Sequence, residues 1–183
     1  LTRALTELII SRIRQLGLKI KYIILTHGHF DHTAATGAVK EATGAVLAVH
    51  QGDLELLNDD SLPRLIGFSA TPVPAPEMIL QGWEDLSIGE MKFTVLHVPG
   101  HSPGGIALYG QDTVFTGDAL FAGGIGRTDL PGGDYNTLID SLNTRLLALD
   151  DAIKVYPGHG PDTTIGDERR GNPFLVNPPR REC

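Results

Sequence analysis

Residues 26–32 read Thr-His-Gly-His-Phe-Asp-His, which puts four side chains able to bind a metal within six positions. They follow at once on an apolar, β-branched run over 20–25, too short for a helix and typical of a buried strand. A turn leaving a strand calls for Gly, Asn or Asp and has no use for three imidazoles. The segment is therefore read as a ligand-bearing loop at a strand end. In an extended loop alternate side chains share one side, so His27, His29 and Asp31 are expected to converge while His32 serves a neighbouring point.

Three more residues stand in a similar setting. His101 lies in Val-Pro-Gly-His-Ser-Pro-Gly-Gly and His159 in Val-Tyr-Pro-Gly-His-Gly-Pro, each after a β-type run and between Pro and Gly residues that shape a rigid loop. Asp118 closes the run Val-Phe-Thr-Gly-Asp. Ligands delivered from several strand ends meet at one edge of a sheet, the usual place for an α/β site. Histidines 27, 29, 32, 101 and 159 with aspartates 31 and 118 are too many for one tetrahedral zinc. Two three-ligand sites sharing one carboxylate use the set completely. All donors are nitrogen or oxygen, which suits two zinc ions and leaves iron and manganese open.

The rest of the chain supplies a scaffold. Helical periodicity is expected over 2–16, with Leu5, Leu8, Ile9, Ile13 and Leu16 on one buried face and Gly17 as the stop, then over 33–43, and over 134–149 with Leu138, Leu142, Leu146 and Leu149 in register. Strands are expected at 20–25, 45–50, 91–98, 104–110, 112–118 and 152–157, with an extended, Pro-punctuated connection at 71–76 and a polar, Pro-rich tail from Asp167. Helix, strand, helix, strand at the front implies a parallel βαβ layer. Residues 1–183 show no internal repeat and are read as a single α/β domain. One Cys, at position 183, excludes a disulfide scaffold and is expected to be inert. A net charge of −7 argues against nucleic acid as partner. The absence of a long apolar run or a secretory pattern leads to the expectation of a cytoplasmic protein with no membrane association.

In order and spacing, T-H-x-H-x-D-H at 26–32, PGHSPG around His101, TGDALF around Asp118 and PGHGP around His159 resemble the metallo-β-lactamase superfamily. The resemblance implies an αββα sandwich in which His27, His29 and His101 hold one metal, Asp31, His32 and His159 hold the second, and Asp118 bridges them. GDALFAGGIGRTDLPGGD (117–134) and PGHGPDTTIGDERRGNPF (157–174) look like the signatures of small glyoxalase II-like hydrolases. That implies a small-molecule thioester substrate such as S-lactoylglutathione. It also implies hydrolysis by a metal-bridging hydroxide, with Asp31 as the catalytic carboxylate that aims it and shuttles its proton. β-Lactamases of this superfamily carry Cys or Ser where Asp118 stands, which disfavours that activity. The rival readings are a persulfide dioxygenase with mononuclear iron and a non-catalytic metal-binding fragment. Family members place several strands before T-H-x-H-x-D-H, whereas 25 residues precede Thr26 here. The chain is thus expected to lack the N-terminal strands of the sandwich, as a fragment or as part of a homo-oligomer. Full-length glyoxalase II also adds a C-terminal helical domain to its glutathione site, and 24 residues follow His159.

Several suggestive residues have ordinary explanations. His50 and His97 are read as structural imidazoles, with a supporting role beside His101 open to His97. The Gly-rich 123–133 segment does not join a strand to a helix as a dinucleotide fingerprint does, so it is read as a loop beside the metal site. Arg127 either pairs with Asp129 or meets an anionic substrate; Arg169 and Arg170 are read as a solvated pair or a carboxylate clamp, and Tyr156 as strand packing.

Overall fold

Two apolar cores organise the chain, which this computed structural model describes over residues 2–59, 64 and 72–176. They belong to two compact units, Leu1–Leu80 and Gln81–Cys183.

In the first unit, β1 (Tyr22–Ile24), β2 (Val46–His50) and β3 (Met78–Leu80) form a parallel sheet in the order β1-β2-β3. Ile23 lies opposite Leu47 and Val49 opposite Ile79. Leu25, Leu47, Val49, Leu57 and Val73 make its core. Helix α1 (Thr2–Gln15) begins the chain, and β1 is followed by α2 (Phe30–Thr33) and α3 (Thr36–Thr43). The expected parallel βαβ arrangement is present, with a modification. The single helix expected over 33–43 is instead α2 and α3, parted at Ala34–Ala35, and α2 begins as early as Phe30. Helix α3 ends where Gly44 takes a left-handed conformation.

The expected buried stripe of α1 is corrected by rotation. Leu8, Ile9 and Leu16 are exposed, whereas Thr6 is buried and Ile10 and Ile13 are half-buried. Residues 6, 10 and 13 follow the i, i+4, i+7 line of one helix face. The side chain of Leu5, Thr71 and Cys183 lie outside the described residues.

In the second unit, β4 (Asp85–Ile88), β5 (Met91–His97), β6 (Ile106–Gly110), β7 (Thr113–Gly117), β10 (Lys154–Pro157) and β11 (Thr163–Thr164) form one sheet in the order β11-β10-β7-β6-β5-β4. A small hairpin of β8 (Leu120–Phe121) and β9 (Gly124–Ile125) stands apart. Strand β6 runs antiparallel to both β5 and β7, and β10 runs parallel to β7. Strands β5, β7 and β10 therefore all end at the same edge.

One face of this sheet buries Ala107, Val114 and Val155 against α4 (Tyr135–Ser141) and the turn that prolongs it. Leu138, Leu142 and Leu146 from the predicted leucine register are fully buried there, each contributing about 1.5–3 kcal/mol. The helix expected to run unbroken to 149 becomes a π-turn over Leu142–Leu146, where the Leu147 amide reaches the Leu142 carbonyl at 2.8 Å.

Strands β3 and β4 were not expected. The tail read as polar and Pro-rich forms α5 (Ile165–Gly171) and α6 (Pro173–Val176). A capping pair explains α5: the Asp167 amide donates to Thr164 Oγ1 at 3.1 Å, and Thr164 Oγ1 donates to Asp167 Oδ2 at 2.8 Å. No helix among the described residues is long and apolar enough to cross a membrane.

Candidate metal centre

The first group of expected ligands leaves the end of β1. His27 is buried and His29 half-buried, with ring centroids 4.9 Å apart, and the His27 and His32 rings approach to 4.2 Å. His29 lies on extended backbone at the N-terminal boundary of α2, whereas His27 sits in a bend and not in the extended run expected. Asp31 departs from the expected alternation. From Phe30 the chain is helical, so Asp31 sits in the first turn of α2, exposed, with Oδ2 3.6 Å from His32 Nε2. A helical turn brings neighbours i and i+1 about 100° apart rather than to opposite sides, which is why Asp31 pairs with His32.

The loop is held from below. Strand β2 runs parallel to β1, so both strands end at the same edge, and the turn Gln51–Asp53 follows β2 there. Asp53 is fully buried, and its Oδ2 accepts the Gly28 amide at 2.8 Å. His50, discounted as a ligand, caps this turn by accepting the Gly52 amide at Nδ1, 3.1 Å away. The sequence reading did not single out Asp53. Its place just after a strand parallel to β1 was the available signal.

The second group comes from the shared edge of β5, β7 and β10. His101 lies in the β5–β6 connection, Asp118 directly follows β7, and His159 follows β10. Asp118 Oδ2 lies 3.6 Å from His159 Nε2 and 3.9 Å from His101 Nε2. Two nitrogen or oxygen donors held about 2.0–2.1 Å from one ion at a tetrahedral angle lie about 3.3–3.5 Å apart. The spacing around Asp118 is close to that of donors that share cations.

The tautomer of His101 also fits a metal ligand. Its Nδ1 lies 2.8 Å from the Arg127 carbonyl, which can only accept. The proton is thus on Nδ1, and the Nε2 lone pair faces Asp118. Two glycines permit this geometry. Gly100 adopts φ +127°, and a Cβ there would fall 2.2 Å from the Leu138 amide nitrogen at the start of α4. A Cβ on Gly126 would meet the Asp118 carbonyl at 1.8 Å and His101 Nδ1 at 3.0 Å.

The remaining residues fall where ordinary structure explains them. His97 Nε2 donates to the Pro103 carbonyl at 3.0 Å. Arg127 forms a two-point ion pair with Asp129, at 2.8 and 2.7 Å. This pairing holds the Asp129 carboxyl down at about 2 and raises the Arg127 guanidinium. The Gly-rich loop lies beside His101, one of the expected ligands, since Arg127 carries the carbonyl that meets its Nδ1.

Arg169 is tied to the Leu147 and Leu149 carbonyls and to Asp151, and Arg170 to Asp151 and Asp167. Both are therefore committed to the end of the preceding helical segment and to α5. Tyr156 stacks on Phe115 at 5.6 Å but is 39% exposed, so it is only partly packed. An open cleft of about 400 Å³ begins at Gly126 and Arg127 and is walled by Ile125, Tyr135 and Phe174.

The family model described as the Metallo-beta-lactamase superfamily matches residues 2–159. The chain belongs to the metallo-beta-lactamase superfamily. Within it, the chain is 43% identical over 176 residues to a protein of Haemophilus influenzae named hydroxyacylglutathione hydrolase GloC, covering 92% of this chain and 82% of that one. It is similar to the BLEG-1 B3 metallo-beta-lactamase at 38% identity and a TM-score of 0.89, with 94% and 85% of the two chains covered. It is also similar to TTHA1623 in a di-iron-bound form at 42% identity and a TM-score of 0.84, over 92% and 84%. The α/β fold is that of the metallo-beta-lactamase proteins, and the chain stands among metal-dependent hydrolases. Superfamily membership brings divalent metal with it, and the His and Asp groups described above are suited to hold it.

Proposed function

We propose that the protein is a dinuclear metallohydrolase of small thioesters, of the hydroxyacylglutathione hydrolase type. In this reading His27, His29 and His101 hold one metal, Asp31, His32 and His159 hold the other, and Asp118 lies between them. The observation that carries it is Asp118 flanked by two imidazole nitrogens at 3.6 and 3.9 Å, one of them on a histidine whose other nitrogen is fixed by a carbonyl. The likeness to the relative named hydroxyacylglutathione hydrolase favours a thioester over other acyl substrates.

When bound, two divalent ions supply Lewis-acid polarisation and a nucleophile at neutral pH. The chain's own groups do the rest. Asp118 keeps its carboxylate between the two imidazoles, and His101 is kept in one tautomer by the Arg127 carbonyl. Asp31, exposed beside His32, is placed to take and release a proton. The cleft walled by Ile125, Tyr135 and Phe174 receives the part of the substrate next to the scissile bond. Its Arg127 is already matched by Asp129, so substrate charge is not required there. A thiolate leaves readily, which suits a site without a dedicated acid for the leaving group.

The test combines metal analysis with a hydrolysis panel of S-lactoylglutathione, a simple acyl thioester, an oxygen ester and a β-lactam, with oxygen consumption followed in parallel. Two metal equivalents and thioester cleavage that disappears on chelation and in Asp118→Asn are expected. Two bound equivalents without thioester cleavage overturn the assignment, and oxygen consumption with a persulfide transfers it to the dioxygenase reading.

A further inference from the structure

Glu168 is a buried carboxylate with no part in the proposed ligand set, only 4% exposed, on helix α5. Its Oε1 accepts the Thr163 hydroxyl at 2.7 Å. Its Oε2 accepts both the Gly123 amide at 2.9 Å and Asn172 Nδ2 at 2.8 Å. Asn172 is itself fully buried, and the same Nδ2 donates to the Gly124 carbonyl at 3.0 Å. Every described partner is a donor, the pattern an acceptor-only carboxylate satisfies.

The position of these partners matters more than their number. Gly123 and Gly124 lie at the tip of the β8–β9 hairpin, reached from Asp118 through β8. Thr163 begins β11, reached from His159 through an exposed loop. The two segments are already tied at their near ends, where the Gly158 amide donates to the Gly117 carbonyl at 2.8 Å, one residue before each proposed ligand. Glu168 ties their far ends. The His159 loop, its side chain 58% exposed and its ligand flanked by Gly158 and Gly160, is also held to its own strand by the Lys154–Asp162 ion pair and by the pairing of Val155 with Thr163, so the tie that Glu168 adds is the one between this loop and the far end of the Asp118 segment. A loop so rich in glycine has little intrinsic preference for one geometry.

We infer that Glu168, with Asn172, is a positioning pair that sets the separation of Asp118 and His159, and so the affinity and geometry of the metal position that uses His159. This rests on the ligand assignment proposed above, and it assigns a task to the GDERRGN segment that the sequence reading treated as a tail. Partners that orient metal ligands are worth about 10- to 100-fold in metal affinity.

The experiment is a titration of the full chain with Co(II) in competition with a chromophoric chelator, with the cobalt ligand-field spectrum recorded and chemical denaturation run on the metal-free protein. Glu168→Ala is expected to weaken one of two cobalt equivalents by about 10- to 100-fold and to change its visible bands. Thr163→Val, which removes only the tie to the His159 side, is expected to weaken the same equivalent by a smaller factor. Glu168→Gln keeps an oxygen for Gly123 and Asn172 and can turn its amide to the Thr163 hydroxyl, so it is expected to restore affinity to within about threefold of the parent. If Glu168→Ala lowers stability while both equivalents keep parental affinity and spectrum, the pair is merely structural and the inference fails. If Glu168→Ala does not fold, Thr163→Val and Glu168→Gln decide, and an unchanged spectrum in Thr163→Val overturns the proposal. A parent that takes up two equivalents but cleaves no thioester refutes the substrate reading alone and leaves these comparisons valid.

Discussion

Asp53 offers the clearest test of how the first ligand loop is held. It is fully buried at the end of the turn after β2, and its Oδ2 accepts the Gly28 amide between His27 and His29 at 2.8 Å. Asp53→Ala removes that acceptor and leaves a buried amide without it, a loss of about 1–3 kcal/mol. Taking about 2 kcal/mol, the folding equilibrium shifts by about 30-fold, and the melting temperature of a domain this size falls by about 4–8 °C. Asp53→Asn retains an oxygen for the same amide and should lose less than half of that. Calorimetry in the presence of a chelator isolates the intrinsic term, because metal bound to the native state would otherwise add to its stability by mass action. Metal titration then reports whether His27 and His29 have moved. If Asp53→Ala melts within about 1 °C of the parent when metal-free, and binds metal with parental affinity, Asp53 does not hold the loop and the reasoning is refuted.

The same structure makes further predictions. Gly100→Ala imposes a Cβ 2.2 Å from the Leu138 amide at a φ of +127°; a loss of more than about 3 kcal/mol is expected from strain and clash together, read by urea denaturation. Leu142→Ala empties a fully buried position in the second core and should cost about 2–5 kcal/mol with the cobalt spectrum unchanged. The Arg127–Asp129 pair has a defined pH window, because Asp129 is held at about 2, below its ordinary value of 3.8. Its contribution is present above the ordinary value and disappears as pH falls through the folded value. Carboxyl carbon shifts should therefore show Asp129 titrating near 2 in the folded protein, and moved upward in Arg127→Ala, with a backbone hydrogen bond still lowering it.

The parts of the site legible in the sequence are those whose chemistry is unusual for their local setting. Three imidazoles within 26–32 have no place in turn chemistry, and His101, Asp118 and His159 each leave a strand between residues that shape loops. The leucine register from 138 was equally plain, because one face of that segment is apolar and its partner sheet is apolar too. The α1 stripe misled for a related reason: with isoleucine or leucine at positions 5, 8, 9, 10, 13 and 16, more than one face satisfies the periodicity, and composition alone does not select the line through Thr6, Ile10 and Ile13. Asp31 was misplaced because the helix begins at Phe30, one residue after His29, where no Ser, Thr or Asp side chain marks an N-terminal cap.

What escaped the sequence were groups whose importance depends on who their neighbours are. Asp53, Glu168 and Asn172 are polar residues in polar stretches, and polar residues in such stretches are mostly exposed. Only the fold reveals that each is buried with backbone amides or carbonyls as partners, those of Asp53 in the loop that carries His27 and His29, and those of Glu168 and Asn172 at the hairpin that follows Asp118. The capping pair of Thr164 and Asp167 was the one local clue that a helix, and not a tail, follows His159. The division has a physical basis. Metal ligands are limited to a few side-chain types and so stand out in a sequence. The groups that orient ligands need only an acceptor at the right place, which almost any carboxylate can provide, so only their placement distinguishes them. Substitutions at Asp53 and Glu168 should consequently separate metal affinity from the presence of the ligands themselves, which substitutions at the seven proposed ligands do not.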